Sequence, residues 1–267
     1  KLFWYVIGII VITCGMIFTE NFSTAALLFV ITMTMMWIGE INWKKLAAVC
    51  GGVVGAVMLI LFVAWVIPED LYREYDHPVL KVFERAYTWV ARIENFAGGS
   101  DEVVSRFKVT DDNFQENHAQ MAIARGGLLP RPGTSVESNY LPEAFSDFIF
   151  AIIVEELGAI VAVLVIFLYL WLLYRAGKVA RQSDSLFCAI LVIGVTLLIV
   201  VQAFIHVGVS VHLGPVTGQP LPLISRGGTS TVINCVYFGL IINCTRYIQH
   251  QQLRKQMVST NEENQSN

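Results

Sequence analysis

Four carboxylates occupy one stretch of the sequence, residues 140–158, which reads YLPEAFSDFIFAIIVEELG. Asp147 stands where a polar, turn-forming segment meets an apolar run, and Glu155 and Glu156 follow about two helical turns later. A carboxylate at or inside a bilayer boundary is costly and is by default a candidate functional group. Aspartate also caps helices, because its oxygen accepts from the free N–H groups of the first turn. The stretch therefore predicts a membrane helix at whose start Asp147 carries chemistry, caps the helix, or does both.

The composition is that of an integral membrane protein. Of the 267 residues, 55% are hydrophobic and only 15% are charged, whereas a soluble domain carries about a quarter charged residues. The formal net charge is −3, and we expect no nucleic acid among the partners. The five cysteines and five histidines show no metal-ligand spacing, so the sequence predicts no side chain bound to a metal.

Six apolar segments are long enough to cross a bilayer, which takes roughly 20 residues of α-helix. They predict one integral membrane domain over residues 1–267, with spans at 2–19, 22–39, 46–67, 148–174, 186–208 and 229–247. A long polar segment, 68–147, separates the third span from the fourth. The hydrophilic tail, 248–267, is expected to be disordered at its end.

Lysine and arginine collect in alternate loops, and this sets the orientation because cytoplasmic loops carry the excess of basic residues. They lie before the first span, between the second and third, between the fourth and fifth, and after the sixth: Lys1, Lys44, Lys45, Arg175, Lys178, Arg181, Arg246, Arg254 and Lys255. The sequence therefore predicts that both ends are cytoplasmic and that residues 68–147 face outside.

The outer segment combines helical and irregular patterns. Residues 78–96 have the apolar spacing of a helix that packs on the membrane surface or on the bundle, and Gly98 and Gly99 end it. Residues 119–147 are rich in glycine and proline, a composition that suits a re-entrant loop lining a cavity. The expected fold class is all-α: a polytopic transmembrane helix bundle with a large, partly helical and partly re-entrant extracytoplasmic loop.

A second stretch, residues 206–231, joins the last two spans on the side of Asp147 and reads HVGVSVHLGPVTGQPLPLISRGGTST. Its prolines and glycines disfavour a regular helix through its middle. At its end, the N–H groups around Gly227 and Gly228 open the sixth span, and helix N-termini favour phosphate. Arg226 adds a guanidinium fork suited to phosphate oxygens. The pattern indicates an anion site, with ordinary turn chemistry as the alternative.

Two motifs now identify a resemblance. YLPEAFSDFIF and GQPLPLISRGGTS, together with the shorter matches ENFSTAALL and ARIENF, resemble the SEDS family of bacterial shape, elongation, division and sporulation proteins, which FtsW and RodA represent; the segments are 140–150, 218–230, 20–28 and 91–96. The similarity runs from about residue 20 to residue 247 and is closer to FtsW than to RodA.

The resemblance implies a glycosyltransferase of the bacterial cytoplasmic (inner) membrane that polymerises lipid II into peptidoglycan for cell division or cell shape. The outer-loop aspartate of the family maps onto Asp147, which implies a general base. The second motif implies that five residues line the central cavity and bind substrate: Ser225, Gly227, Gly228, Thr229 and Ser230. Members have ten spans with the large outer loop after the seventh, so about four spans are expected to precede Lys1.

The sequence departs from the family pattern at several places. Arg226, His206 and Phe145 stand where better-known members have Tyr, Asn and His. LLPRPG at 128–133 replaces a more glycine-rich run, which sets this loop apart from that of the family.

The implied reaction joins the 4-hydroxyl of a GlcNAc to an anomeric carbon whose leaving group is undecaprenyl pyrophosphate. A positioned carboxylate that takes the hydroxyl proton suits this step. Candidates for the pyrophosphate are Arg226, Arg125 and the Gly227–Gly228 turn, with a surface role as the alternative for Arg125. A divalent cation, Mg²⁺ or Mn²⁺, is a further candidate without an identifiable motif.

The remaining glutamates have structural expectations. Glu155 and Glu156 are expected to face the bundle and to pair with basic groups, some of them on preceding spans. Glu143 is expected to form a loop ion pair or to serve structure.

The implied partners are lipid II, the nascent glycan strand, a class B penicillin-binding protein that crosslinks the strands, and other division or elongation proteins. Two other function classes stay open. One is a flippase of the lipid-linked precursor, since broken helices and intramembrane carboxylates suit transport. The other is a non-catalytic scaffold of the division complex. Glycan made from supplied lipid II distinguishes the enzyme from the flippase, and tolerance of the loss of Asp147 marks the scaffold.

Overall fold

The computed structural model describes residues 2–66, 89–90, 114–133, 135–140 and 145–266 of the chain. Within these ranges the secondary structure is helical, without β-strands. The helices are α1 (Leu2–Phe18), α2 (Phe22–Ile38), α3 (Trp43–Val66), α4 (Phe114–Arg125), a 3₁₀ turn (Glu137–Asn139), α5 (Ile149–Arg181), α6 (Leu186–Ser210) and α7 (Gly228–Ser266). Glu143, and the helix expected over 78–96 apart from residues 89–90, lie outside the described residues.

Four helices of the described part are long and apolar enough to cross a membrane: Trp43–Val63, Ile149–Arg181, Leu186–Ser210 and Gly228–Met257. Helices α1 and α2 are apolar but shorter, with 17 residues each, which is near the lower limit for a span. Many large apolar side chains on these helices are exposed, as is expected of surfaces that meet lipid or further helices. The chain is therefore a multi-pass membrane protein with the all-α bundle that the sequence predicts.

The last helix is longer than the sequence indicates. α7 runs unbroken to Ser266, where a tail disordered at its end was expected. The extension contacts the connection between α5 and α6: the Gln252 side-chain amide donates to the Gln182 carbonyl at 3.1 Å, and Lys255 Nζ lies 2.7 Å from an Asp184 oxygen. The tail is also rich in Gln, which is a good helix former. Composition alone suggested disorder because contacts with residues distant in sequence, such as Gln182 and Asp184, cannot be read from composition.

The core lies between α5 and α6. Buried apolar side chains of the two helices pack together, and one residue of the loop between α6 and α7 joins them: Phe150, Ile153, Val154, Ile199, Val200, Ala203 and Leu221. α2 packs against α1 on one side and α6 on another. Burial of this apolar surface is the main force holding the start of α5 against the C-terminal half of α6.

α5 is broken by a glycine. The backbone leaves the helical conformation at Gly158, with φ 78° and ψ 168°, and then continues to Arg181, seven residues beyond the predicted end of the span at 174. A Cβ at Gly158 would lie 2.7 Å from the Leu128 carbonyl oxygen. Only glycine fits there, because an L side chain is strained at this φ and would collide with the neighbouring backbone.

The segment after α4 satisfies the backbone groups that the break exposes. The Ala159 N–H donates to the Gly127 carbonyl at 2.9 Å, and the Arg131 N–H donates to the Glu156 carbonyl at 2.6 Å. This part of the predicted re-entrant segment therefore lies directly against α5. Irregular backbone is tolerated in such a place because its polar groups are paired with those that the break exposes.

Candidate functional site

Asp147 lies immediately before α5 and does not cap it. The N-cap residue is Phe148, which provides no side-chain hydrogen bond, and its buried ring fixes the point where the helix begins. The N–H groups of Ala151 and Ile152 turn back to the Phe148 carbonyl. Asp147 Oδ1 instead accepts from the Ser146 hydroxyl at 3.1 Å, and the residue is partly buried. The helix-cap interpretation of Asp147 is therefore wrong.

The loop between α6 and α7, residues 211–227, lies against Asp147; we call it the connecting loop. A Cβ at Gly218 would lie 3.6 Å from Asp147 Oδ2, so the loop backbone passes beside the carboxylate. The Arg226 N–H donates to the Phe145 carbonyl at 2.8 Å. The two stretches singled out in the sequence thus meet at Asp147.

Ser225 ties the connecting loop to the residue before Asp147. Its hydroxyl donates to the Ser146 carbonyl at 2.6 Å and accepts from the Leu221 N–H at 2.7 Å. The residue is buried, at 7% exposure. Because the hydroxyl donor is already used within the protein, Ser225 holds the site together, and its expected contact with substrate stays a prediction.

Helix side chains anchor the rest of the connecting loop. The Gln202 side-chain amide donates to the Pro220 carbonyl at 3.1 Å, and the Tyr169 hydroxyl donates to the Pro222 carbonyl. Gln219 reaches α2, where its amide donates to the Thr24 hydroxyl at 2.8 Å. The loop is thus held from α2, α5 and α6, which explains how an irregular segment rich in proline and glycine keeps one position beside a carboxylate.

His206 of α6 contacts both the start of α5 and the connecting loop. The ring is 1% exposed, with Nδ1 2.8 Å from the Gln219 carbonyl and Nε2 3.4 Å from the Phe150 nitrogen. The resemblance indicated only that His206 stands where better-known members of the family have asparagine. An isolated histidine in an apolar run carries no signal of such a bridge.

The predicted anion site lies at the start of α7. Gly228 is the first residue of the helix, and the first intrahelical bond runs from the Thr231 N–H to the Gly227 carbonyl at 3.0 Å. The N–H groups of Gly228, Thr229 and Ser230 therefore have no partner within the helix.

Arg226 stands directly before this helix end. Its side chain is exposed and has no ion-pair partner in the part of the chain that the structure describes. Arg226 is therefore adjacent in the chain to the free N–H groups of α7, on a loop that also contacts the peptide before Asp147.

Arg125 belongs to a different cluster. At the end of α4 it pairs with Glu137 of the 3₁₀ turn, and His118 binds the other oxygen of the same carboxylate. Glu137 is 2% exposed, whereas the Arg125 side chain is 51% exposed. No hydrogen bond or ion pair among the described residues joins Arg125 to Asp147. Its role towards pyrophosphate stays a prediction, and the contact that the structure does supply is to a buried carboxylate.

Glu155 is bound by uncharged groups rather than by the basic residues that the sequence suggested. Its two oxygens accept from the Ser135 hydroxyl at 2.5 Å and from the Val136 N–H at 3.1 Å, and the residue is 5% exposed. The expected basic partners are replaced because the segment after α4 folds over this side of α5. The Ser138 N–H donates to the Ser135 hydroxyl at 3.2 Å and completes the turn.

Among the residues that the structure describes, the side chains do not supply a ready cation site. In the described ranges, no group of three or more His, Cys, Asp or Glu side chains comes together. The divalent cation therefore stays a prediction, and we derive no chemical step through one.

Comparison with known proteins gives a consistent result. The family model for cell cycle proteins of the FtsW, RodA and SpoVE type matches residues 1–250. The chain is 29% identical over 252 residues to the probable peptidoglycan glycosyltransferase FtsW of Enterococcus hirae, covering 90% of the chain and 59% of that protein. It is 42% identical over 139 residues to the protein of the same name from Mycobacterium tuberculosis, covering 51% and 26%. The chain thus spans at most about 59% of these relatives.

A solved structure has a similar fold. The chain matches a protein chain from a structure described as "Structural coordination of polymerization and crosslinking by a peptidoglycan synthase complex", with a TM-score of 0.60 and 19% identity. The match covers 91% of this chain and 59% of that one. At this identity the likeness establishes the arrangement of the helices alone.

Proposed function

Because the chain belongs to the FtsW, RodA and SpoVE family of cell cycle proteins, we propose that it carries the polymerising centre of a peptidoglycan glycosyltransferase. The substrate is lipid II, and the product is a glycan strand lengthened by one unit. The observation that carries this proposal is Asp147: a partly buried carboxylate with one hydrogen bond from Ser146, held beside a loop that presents phosphate-binding groups.

The chemical role of Asp147 is that of general base. The 4-hydroxyl of the acceptor sugar attacks the anomeric carbon of the donor, and its proton passes to the carboxylate. The new glycosidic bond forms as the bond to undecaprenyl pyrophosphate breaks, and the pyrophosphate leaves as an anion. Asp147 suits this role because it has acceptor capacity left after Ser146 has donated to Oδ1. The Ser225 bond to the Ser146 carbonyl holds the preceding peptide in place.

In this proposal the pyrophosphate leaving group binds at the start of α7. Arg226 and the N–H groups of Gly228, Thr229 and Ser230 offer a guanidinium fork and backbone donors left over by the helix. These groups stabilise the negative charge that develops on the pyrophosphate, since charge-assisted bonds to phosphate are among the strongest that proteins make. Mg²⁺ or Mn²⁺ stays a prediction; such an ion would supply further positive charge to the leaving pyrophosphate.

The membrane setting follows from the basic residues of the loops. We place the protein in the bacterial cytoplasmic (inner) membrane with both ends in the cytoplasm and Asp147 at the outer surface, because Lys44, Lys45 and Arg181 lie at the opposite ends of the helices. A class B penicillin-binding protein is the proposed partner, with other division or elongation proteins. The family membership supports this, as does the structural relative, which is described as part of a peptidoglycan synthase complex.

A flippase is the second candidate. The observation in its favour is the break of α5 at Gly158, since discontinuous helices build the binding sites of many transporters. It differs from the polymerase in its product: it moves lipid II across a bilayer and leaves it unpolymerised.

The test uses the protein expressed from its complete gene and purified in detergent, alone and with its transpeptidase partner. Supplied with lipid II, it should release glycan strands that lysozyme digests, and the Asp147→Asn variant should not. Vesicles that contain the same protein should move no fluorescent lipid II. Transport without polymer would establish the flippase. Normal division by cells that carry Asp147→Asn would point to the scaffold.

A further inference from the structure

His206 is the most deeply buried titratable side chain beside the proposed centre, and the proposed reaction does not use it. The ring is 1% exposed on α6, with both nitrogens at hydrogen-bonding distance from backbone groups. The partners belong to different elements: Phe150 to the first turn of α5, and Gln219 to the connecting loop.

The two partners determine the protonation of the ring. The Gln219 carbonyl can only accept, so Nδ1 carries the hydrogen and donates at 2.8 Å. The Phe150 N–H can only donate, so Nε2 is the acceptor, at 3.4 Å. The neutral tautomer with hydrogen on Nδ1 therefore satisfies both contacts.

The two hydrogen bonds of His206 hold the helix turn that follows Asp147 and the loop that faces it. Phe150 lies three residues after Asp147, and its N–H is one of the donors at the start of α5 that no side-chain cap satisfies. Gln219 adjoins Gly218, whose backbone lies beside Asp147 Oδ2. One ring thus sets the separation between the helix turn that follows the carboxylate and the loop that faces it.

We propose that His206 is a positioning residue for Asp147: it fixes the first turn of α5 to the connecting loop so that the carboxylate meets the attacking hydroxyl at the correct distance. This inference rests on the proposed function of Asp147. Catalytic groups must be held to a fraction of an ångström, and a displacement of about 1 Å costs about 100-fold in rate. His206 itself touches no substrate.

Three substitutions separate the two hydrogen bonds. His206→Asn places an amide near the position of Nδ1 and keeps the bond to Gln219. His206→Gln reaches the position of Nε2 and keeps the bond to Phe150. His206→Leu has a similar size and keeps neither. Thr196→Val is the matched control, because Thr196 is equally buried on α6 and its hydroxyl has no partner in the described structure.

The measurement is lipid II polymerisation by the protein expressed from its complete gene, with kcat and KM determined on folded material. We expect His206→Leu to lower kcat about 10- to 100-fold, with KM changed less than about threefold. His206→Asn and His206→Gln should each recover part of kcat, and Thr196→Val should equal the wild type. A structural role alone would lower the yield or the unfolding temperature and leave kcat of the folded protein unchanged.

The outcomes are distinguishable from those of the proposed function. Wild-type kcat in His206→Leu, while Asp147→Asn is inactive, overturns the positioning role and leaves the general base intact. An active Asp147→Asn overturns the proposed function itself. If His206→Leu does not fold, His206→Asn and His206→Gln decide the question, because wild-type kcat in both refutes the proposal.

Discussion

Two carboxylates eight residues apart, Asp147 and Glu155, occupy very different surroundings. Glu155 is 5% exposed, and each oxygen accepts a hydrogen bond from the segment that folds over α5. Asp147 is partly buried, and the described structure gives its side chain one hydrogen bond, from Ser146. Glu155 stands on the helix itself, and Asp147 on the turn that leads into it.

The difference shows that the surroundings of a carboxylate decide whether it stabilises the fold or takes part in the reaction. A carboxylate whose oxygens are bound by a hydroxyl and an amide fastens two segments together, and it has little capacity left for a substrate proton. A carboxylate with spare lone pairs, held by contacts to the neighbouring backbone, can accept a proton without loosening the fold. The contacts of Ser225, Arg226 and His206 achieve this at Asp147, because all three bind main-chain groups around it.

The largest loss of stability is expected from a substitution at Gly158, where the segment that binds Glu155 packs on α5. Gly158→Ala should lower the free energy of unfolding by about 2 kcal/mol or more, because φ is positive there and the new Cβ would meet the Leu128 carbonyl. The control is Gly177→Ala on the same helix, where a Cβ meets nothing within 4 Å and a gain of roughly 0.5–1 kcal/mol is expected. Thermal unfolding in detergent measures both. Equal stability of the two variants would mean that the segment after α4 does not pack on the break.

Glu155→Gln tests directly whether Glu155 serves stability alone, and the substitution itself is small. The amide can still accept at one oxygen, but its NH₂ group faces a second donor, so the protein should lose about 1–3 kcal/mol of stability. Polymerisation per folded molecule should stay near the wild-type rate. Glu156→Gln is the control, with an expected change within about 0.5 kcal/mol. A large loss of rate in stable Glu155→Gln protein would place Glu155 in the chemistry and contradict this division of roles.

Arg226→Gln should have the smallest effect. Loss of an exposed guanidinium from the proposed pyrophosphate site should lower kcat/KM for lipid II about fivefold, equal to roughly 1 kcal/mol, and leave the unfolding temperature unchanged. Arg246→Gln, at an exposed position further along α7, is the control. Steady-state kinetics at low ionic strength measures the difference, and an unchanged kcat/KM would remove Arg226 from the site.

The sequence predicts much of the fold because its signals are local. Apolar runs locate the helices, and the glycine and proline content of 211–227 marks the irregular loop. The resemblance brings Asp147 and the Ser225–Ser230 motif to one site, and the structure joins the two stretches through backbone bonds at Phe145 and Ser146.

What the sequence misses depends on contacts between distant segments. Gly158 sits in an apolar run that continues as a helix, so its positive φ is visible only with Leu128 against it. The donors to Glu155 come from a turn about twenty residues earlier, whereas charge pairing suggested basic partners. His206 is one polar residue in an apolar helix, and its role depends on two backbone groups that tertiary structure alone brings together.

The most direct test of the account is the rate of lipid II polymerisation by Asp147→Asn, measured beside its thermal unfolding and beside Glu155→Gln. Asparagine has nearly the same volume, its oxygen can still accept from Ser146, and no helix cap is lost because Asp147 makes none. The unfolding temperature should therefore match the wild type. The rate should fall by at least about 100-fold, since an amide cannot take the hydroxyl proton. Stable Asp147→Asn protein that polymerises within a few-fold of the wild-type rate would contradict the central claim.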